Sequence, residues 1–183
     1  MFVEILFLVI IFLIAEITGS IFLYILLIVV FFLCLPGLVA LNSAPYVPTL
    51  KKNANTMLKL ADIKKGMKVY DLGAGDGRLV ERAAKKGANA VGYEISFALF
   101  VFFWLRKAVF MRKGKVIWGS IWRKDISDAD IVMCFLMPRA MERFEKKKFG
   151  TMKKGARLVS NIFPLPNTKA EKTEKGVYLY IKQ

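Results

Sequence analysis

Two patterns of apolar residues divide the chain. From residue 5 to residue 41 they run almost unbroken; beyond residue 50 they recur in short runs separated by polar turns. The second pattern predicts alternating strands and helices. Leu50 to Leu60 reads as a short helix with Leu50, Met57, Leu58 and Leu60 as its apolar positions. Met67 to Leu72 is a strand, and Leu79 to Lys86 a helix stopped by Gly87. Ala90 to Glu94 is the next strand. Ser96 to Met111 is a helix closed by Arg112, Lys113 and Gly114, a favourable C-terminal combination. Lys115 to Trp118 and Ile131 to Leu136 are strands, Pro138 to Phe149 a helix, and Ala156 to Ile162 a strand. Lys169 to Thr173 and Val177 to Ile181 form a closing hairpin about Glu174, Lys175 and Gly176. The order predicts an α/β fold, with helices sandwiching a largely parallel sheet.

The first pattern predicts a membrane anchor. Ser20 to Leu41 is long enough to cross a bilayer as a helix, and Pro36-Gly37 would bend or end it. Ile5 to Ala15 is short for a span; it extends the same helix, forms a second segment or lies in the interface. Glu16 opposes one continuous apolar rod. A signal peptide competes, but it lacks a basic leading region and the apolar run is too long. Residues 1–41 are therefore expected to be the transmembrane anchor, of one or two helical segments. Residues 42–61 are a linker and entry helix, and 62–183 the folded domain.

Charge sharpens this division. All 29 Lys and Arg residues lie from Lys51 onward, with 12 of the 14 acids. Basic residues directly after the apolar run predict a membrane localisation with the domain on the cytoplasmic side. The chain has no histidine, and Cys34 and Cys134 lack metal-ligand spacing. A disulfide framework, imidazole catalysis and most zinc sites are excluded, so no metal is expected.

The chemistry sits in "VYDLGAGDGRLV", Val69 to Val80. Strand, glycine loop and helix together make a nucleotide-binding turn, because glycine lets the backbone turn sharply and approach a ligand. Gly73, Gly75 and Gly77 are spaced G-x-G-x-G, whereas a dinucleotide loop is spaced G-x-G-x-x-G to seat a pyrophosphate. Asp71 and Asp76 flank the turn and would repel phosphate. They suit a ligand with a cationic end, such as the sulfonium and ammonium of S-adenosylmethionine. Glu94 ends the next strand, nineteen residues after Gly75, where an acid accepts both hydroxyls of a ribose.

With "DLGAGDG" and "GYE" in place, the sequence resembles the class I S-adenosylmethionine-dependent methyltransferases. "APYVPT", "SIWRKDIS", "CFLMPRAM" and "NIFPLP" extend the likeness to the membrane-anchored protein-lysine methyltransferases that act on the ATP synthase c-subunit and the adenine nucleotide translocase. It covers roughly residues 20 to 183. It implies a Rossmann-like seven-stranded sandwich carrying an N-terminal transmembrane helical segment. Cofactor contacts would come from Asp71, Gly73, Gly75, Asp76, Gly77 and Glu94, with Ser120 and Ile121 beside the adenine. Family members tend to carry an acid at the position of Ser120. Tyr46 and Pro48 would wall the cofactor and target lysine, and Pro138, Asn161, Phe163 and Pro164 would border the acceptor channel.

Methyl transfer needs alignment of a neutral amine more than acid–base machinery. Tyr46 and Asp125 are the candidate catalytic residues, Tyr46 as pocket wall and Asp125 to orient the ammonium. Asp125 reads equally as a helix cap or surface acid. Phe97 to Leu105 are nine consecutive apolar residues, so the outward face of that helix is expected against the bilayer or the anchor helix, with Arg106, Lys107, Arg112 and Lys113 placed to meet lipid phosphates; an oligomer contact or an unusually buried helix is the alternative. The expected function is methylation of a lysine on a membrane protein, with membrane-protein substrate and bilayer as partners. Lipid, small-molecule and RNA methylation, and a non-catalytic scaffold, are the alternatives; nucleic acid fits the anchor poorly.

Overall fold

The computed structural model describes residues 47–110 and 113–183, together with 9, 10, 12–14, 16, 17, 19 and 21–29. The chain divides into two compact units, Met1–Pro45 and Tyr46–Gln183.

In the first unit, helical residues on either side of Gly19 flank a turn in which that glycine takes φ 59°. The Tyr24 hydroxyl donates to Glu16 Oε1 at 2.8 Å, so Glu16 finds a partner across the turn. Among the described residues, no helix is long and apolar enough to cross a membrane. This corrects the expected transmembrane segment, and with it the membrane localisation, the bilayer partner and the membrane-anchored form of the family. The rest of the expected Ser20–Leu41 span, from residue 30, lies outside the described residues.

The second unit is built on one seven-stranded sheet. Its elements are α1 (Lys51–Ala61), β1 (Lys68–Leu72), α2 (Arg78–Lys85), β2 (Asn89–Glu94), α3 (Phe97–Phe110) and β3 (Lys115–Trp118). They continue with β4 (Ile131–Cys134), α4 (Pro138–Lys147), β5 (Arg157–Asn161), β6 (Lys172–Glu174) and β7 (Val177–Ile181), plus single 3-10 turns at Ile121–Arg123 and Phe149–Thr151. The strand order is β3-β2-β1-β4-β5-β7-β6. The first five strands in space are parallel, and β7 and β6 close the sheet antiparallel. The Rossmann-like seven-stranded expectation therefore holds, without the transmembrane addition.

Burial follows the patterning. Every residue of β4 is buried, as a central parallel strand covered on both faces requires. Ala54, Met57, Leu58 and Ala61 of α1 pack into one core with Val69, Val80, Ile131 and Val159. Leu50 differs from expectation: it is the N-cap of α1 and stays exposed. The opposite sheet face is covered by Met141 and Phe144 of α4, with Leu158 and Tyr180 beneath them. Among the described side chains of α3 only Phe103 is fully buried, while Phe102, Leu105 and Val109 are exposed. Its basic residues face inward partners instead of lipid phosphates. Lys107 donates to the Gly114 carbonyl at 2.7 Å, and Arg106 reaches the glycine loop. Arg112 lies outside the described residues.

The sheet order reverses between β1 and β4. In an open α/β sheet a ligand crevice forms at that point, outside the carboxyl ends of the strands. Here those ends deliver Gly73 from β1, Glu94 from β2, Phe135 from β4 and Asn161 from β5.

Candidate active site

The turn after β1 is held by its own backbone. Gly73 and Ala74 donate to the Tyr93 carbonyl at 2.9 and 3.0 Å, and Gly77 donates to the Ala74 carbonyl at 2.9 Å. Gly77 takes φ 75°, and a Cβ on it would collide with the Phe103 ring. Its glycine is therefore required twice, by backbone and by space. The loop delivers α2 with its first N–H groups toward the crevice.

Three carboxylates surround this turn, each in a different state. Asp71, only 4 % exposed, makes no hydrogen bond to another described residue. Burial, then the charges of Glu94 and Asp76, push its pKa up to about 7. Asp76 is equally buried but saturated. Arg78 Nε donates to Oδ1 at 2.9 Å and Nη2 to Oδ2 at 3.0 Å, while Arg106 Nη1 adds 2.9 Å to Oδ2. Burial raises Asp76, but the Arg78 bonds and charge and the Arg106 bond outweigh it and hold its carboxyl low. Glu94 reaches the loop from β2, accepting the N–H groups of Gly75 at 2.7 Å and Ser96 at 2.8 Å.

A cleft opens above Asp71, Gly73, Gly75 and Asp76, walled by Val47, Pro48, Thr49 and Phe135. It brings together four of the expected cofactor residues with one expected substrate residue, Pro48. Phe135 in turn stacks on Phe163, rings 6.2 Å apart and inclined by 27°. Asn161 is buried and accepts from Asn53 Nδ2 at 2.8 Å, which ties β5 to α1. Pro164 is exposed in the following loop, which Ser160 pins by donating to the Phe163 carbonyl at 2.6 Å. Pro138 is the first residue of α4.

Other expected residues stand elsewhere. Ser120 caps the 3-10 turn that Ile121 begins, accepting from Trp122 N at 3.4 Å. Asp125 accepts the Ser127 backbone N–H at 2.9 Å and hydroxyl at 3.0 Å in an exposed turn. Those bonds hold its carboxyl below the usual range. Tyr46 lies outside the described residues. Among the described residues, no group of three or more His, Cys, Asp or Glu side chains could hold a metal ion. The sequence reading gave no site role to Arg78, Thr49 and Phe135, and it set Arg106 against lipid phosphate. Arg78 carried a signal, since it directly follows the last glycine; Arg106 carried none, because only the packing of α3 brings it to Asp76.

The donor set fits S-adenosylmethionine. A buried carboxylate with no hydrogen-bond partner among the described residues, its pKa raised by burial and by neighbouring negative charge, suits a cationic ligand. A phosphate there would meet the Asp71 carboxylate in the lining of the cleft. Fold and site thus define a class I methyltransferase domain that takes S-adenosylmethionine as cofactor. Residues 71–172 match the model of the ANTKMT methyltransferase domain, and the chain belongs to that family. It is 34% identical over 149 residues to a protein-lysine N-methyltransferase of Saccharolobus islandicus (strain REY15A), covering 75% of this chain and 92% of that protein. It is also 34% identical over 128 residues to the Xenopus laevis lysine N-methyltransferase of the ATP synthase c-subunit, covering 67% of this chain and 55% of that one. The chain thus spans about half the length of such vertebrate relatives. A crystal structure of an RNA methyltransferase from Salinibacter ruber, in complex with S-adenosyl-L-homocysteine, is similar with TM-score 0.68 and 32% identity. It covers 74% of this chain and 94% of that one.

Glu94 supplies a direct check on the cofactor assignment. Its replacement by alanine leaves the Gly75 and Ser96 N–H groups without their acceptor and removes the group expected at the ribose. S-adenosylmethionine binding should weaken by about a hundredfold, the loss of two hydrogen bonds to a charged group. Calorimetric titration reads this, and unchanged affinity would remove Glu94 from the site.

Proposed function

We propose that the protein transfers a methyl group from S-adenosylmethionine to the side-chain amine of a lysine in a protein substrate. The observation that carries this reading is the pairing, in one cleft, of a buried carboxylate that bonds to no other described residue with an apolar wall of Val47, Pro48 and Phe135. The first suits a cationic donor; the second suits an amine that must be neutral. The 34% identity to the archaeal protein-lysine N-methyltransferase, over 92% of its length, supports the choice of acceptor.

When bound, S-adenosylmethionine supplies a methyl group already activated by its sulfonium charge. The chain's own residues have three tasks. Asp71, Glu94 and the loop of Gly73, Gly75 and Gly77 hold the donor. Val47, Pro48 and Phe135 exclude water from the acceptor amine, and desolvation lowers the pKa of a lysine ammonium, so that its proton is lost to solvent. Pro48, Phe135 and the Phe163 ring behind it fix the line of approach, since orientation supplies most of the rate in such a transfer. Burial pushes the Cys134 thiol up to about 12, which leaves it inert, and no step is assigned to Asp125.

RNA methylation is the second reading, favoured by the Salinibacter ruber likeness and by the net charge of +15. Incubating the full chain with host extract and radiolabelled S-adenosylmethionine separates the two. The expected result is label that protease releases and ribonuclease does not, recovered as methyl-lysine after hydrolysis. Label confined to RNA overturns the lysine reading.

A further inference from the structure

A second hollow, of about 520 Å³, adjoins the donor cleft. It lies where α1, α2 and α3 converge and shares Thr49, Asp76 and Arg78 with the cleft wall. Its cationic lining is Lys51 and Arg82 together with Arg78 and Arg106, against the acids Asp76 and Glu81. The cations are not equivalent. Arg78 and Arg106 are committed to Asp76. Lys51 and Arg82 form no ion pair with an acid among the described residues; Arg82 donates only to the neutral Asn55 side chain. Neither residue contributes to the donor cleft.

Among the described residues the lining of the hollow therefore carries two cations in excess, set beside the donor cleft. That surplus matches one or two carboxylates. It does not match a phosphodiester chain, whose successive charges would run past Asp76 and Glu81. Arginine presents a planar fork that pairs with a carboxylate through two bonds. We propose that this hollow receives acidic side chains of the substrate protein close to its target lysine, with Arg82 and Lys51 as the residues that select them. The inference rests on the lysine reading above and adds to it a substrate feature: acidic residues flanking the methylated position.

The test uses the full chain with S-adenosylhomocysteine and two fluorescent peptides. Each carries one central lysine, flanked in one peptide by glutamates and in the other by glutamines. By fluorescence anisotropy the glutamate peptide should bind at least about tenfold more tightly, and added salt should erase the difference. The double variant Lys51→Gln/Arg82→Gln should lose the preference while S-adenosylmethionine affinity, read by calorimetry, stays unchanged. Equal binding of the two peptides by the unaltered protein overturns the proposal with no variant required. So does a fall in S-adenosylmethionine affinity in the double variant, which would assign the hollow to the cofactor. Displacement of the glutamate peptide by a single-stranded RNA that binds more tightly assigns it to nucleic acid. Binding is measured apart from catalysis. Equal peptide binding with methyl-lysine still formed therefore defeats this inference alone, whereas label confined to RNA defeats the lysine reading as well.

Discussion

Replacing Asp71 with asparagine should weaken S-adenosylmethionine binding by about a hundredfold, the cost of removing one partner from a buried charge pair. The same substitution should stabilise the cofactor-free protein at alkaline pH. Both effects follow from the setting of Asp71: it is buried, bonds to no other described residue, and has its pKa pushed up to about 7 by burial and by Glu94 and Asp76. The unfolded carboxyl titrates near 3.8. Between these values the native state retains a proton that the unfolded state has lost. The contribution of Asp71 to stability is thus fully present below pH 3.8 and declines as pH rises through about 7. Asparagine has no proton to lose, so its advantage should grow across that window and level off above it. Cofactor affinity runs the opposite way. The cationic donor needs the ionised carboxylate, so affinity should fall by about tenfold per unit below pH 7 in the native protein and stay flat in the variant. Thermal unfolding at pH 5 and pH 8, with calorimetry over the same range, reads both limbs. An asparagine variant that is no more stable at pH 8 than the native protein, or that binds the donor as tightly, would refute the assignment.

Gly77→Ala should be the most damaging change in the loop. At φ 75° an alanine costs about 1–2 kcal/mol in backbone strain, and forcing its Cβ against Phe103 costs about 1–3 kcal/mol more. Phe103 is fully buried, so it cannot swing aside into solvent. Chemical denaturation should show a loss of about 3 kcal/mol, together with lost donor binding as the start of α2 shifts. Adding Phe103→Leu should recover only the packing share, because the backbone strain remains. Complete rescue by that second change would show that φ imposes nothing here; a stable Gly77→Ala single variant would show that the loop is more compliant than its geometry requires.

Most of the fold was legible because it is local. Strands such as Lys115–Trp118 and Val177–Ile181 coincide residue for residue with the sequence reading, since hydrophobic alternation and flanking glycines mark them. The donor loop was legible for the same reason: Asp71, the glycines and Glu94 sit at fixed spacings around one strand-turn-helix. Where the reading failed, the deciding interaction was distant. Arg106 looked like a partner for lipid phosphate because it follows nine apolar residues; packing across thirty positions of chain gives it to Asp76 instead. Ser120 and Asp125 are not among these failures: their side chains bond to nearby backbone, which the reading of Asp125 as a cap or surface acid already allowed. The expected N-terminal span rested on hydropathy; among the described residues no helix is long and apolar enough to cross a membrane. The cationic hollow was invisible for a simpler reason: its residues come from three helices and share no motif.

Arg78 bonds to Asp76 with one part of its guanidinium and donates to the Thr49 carbonyl at 3.2 Å with another. It thereby fastens the segment before α1 to the glycine turn, so one guanidinium joins both walls of the cleft. Under the proposed function those walls serve donor and acceptor, and whatever factor one occupant applies to the affinity of the other is returned in equal measure. Titrating each in the presence of the other reads that factor.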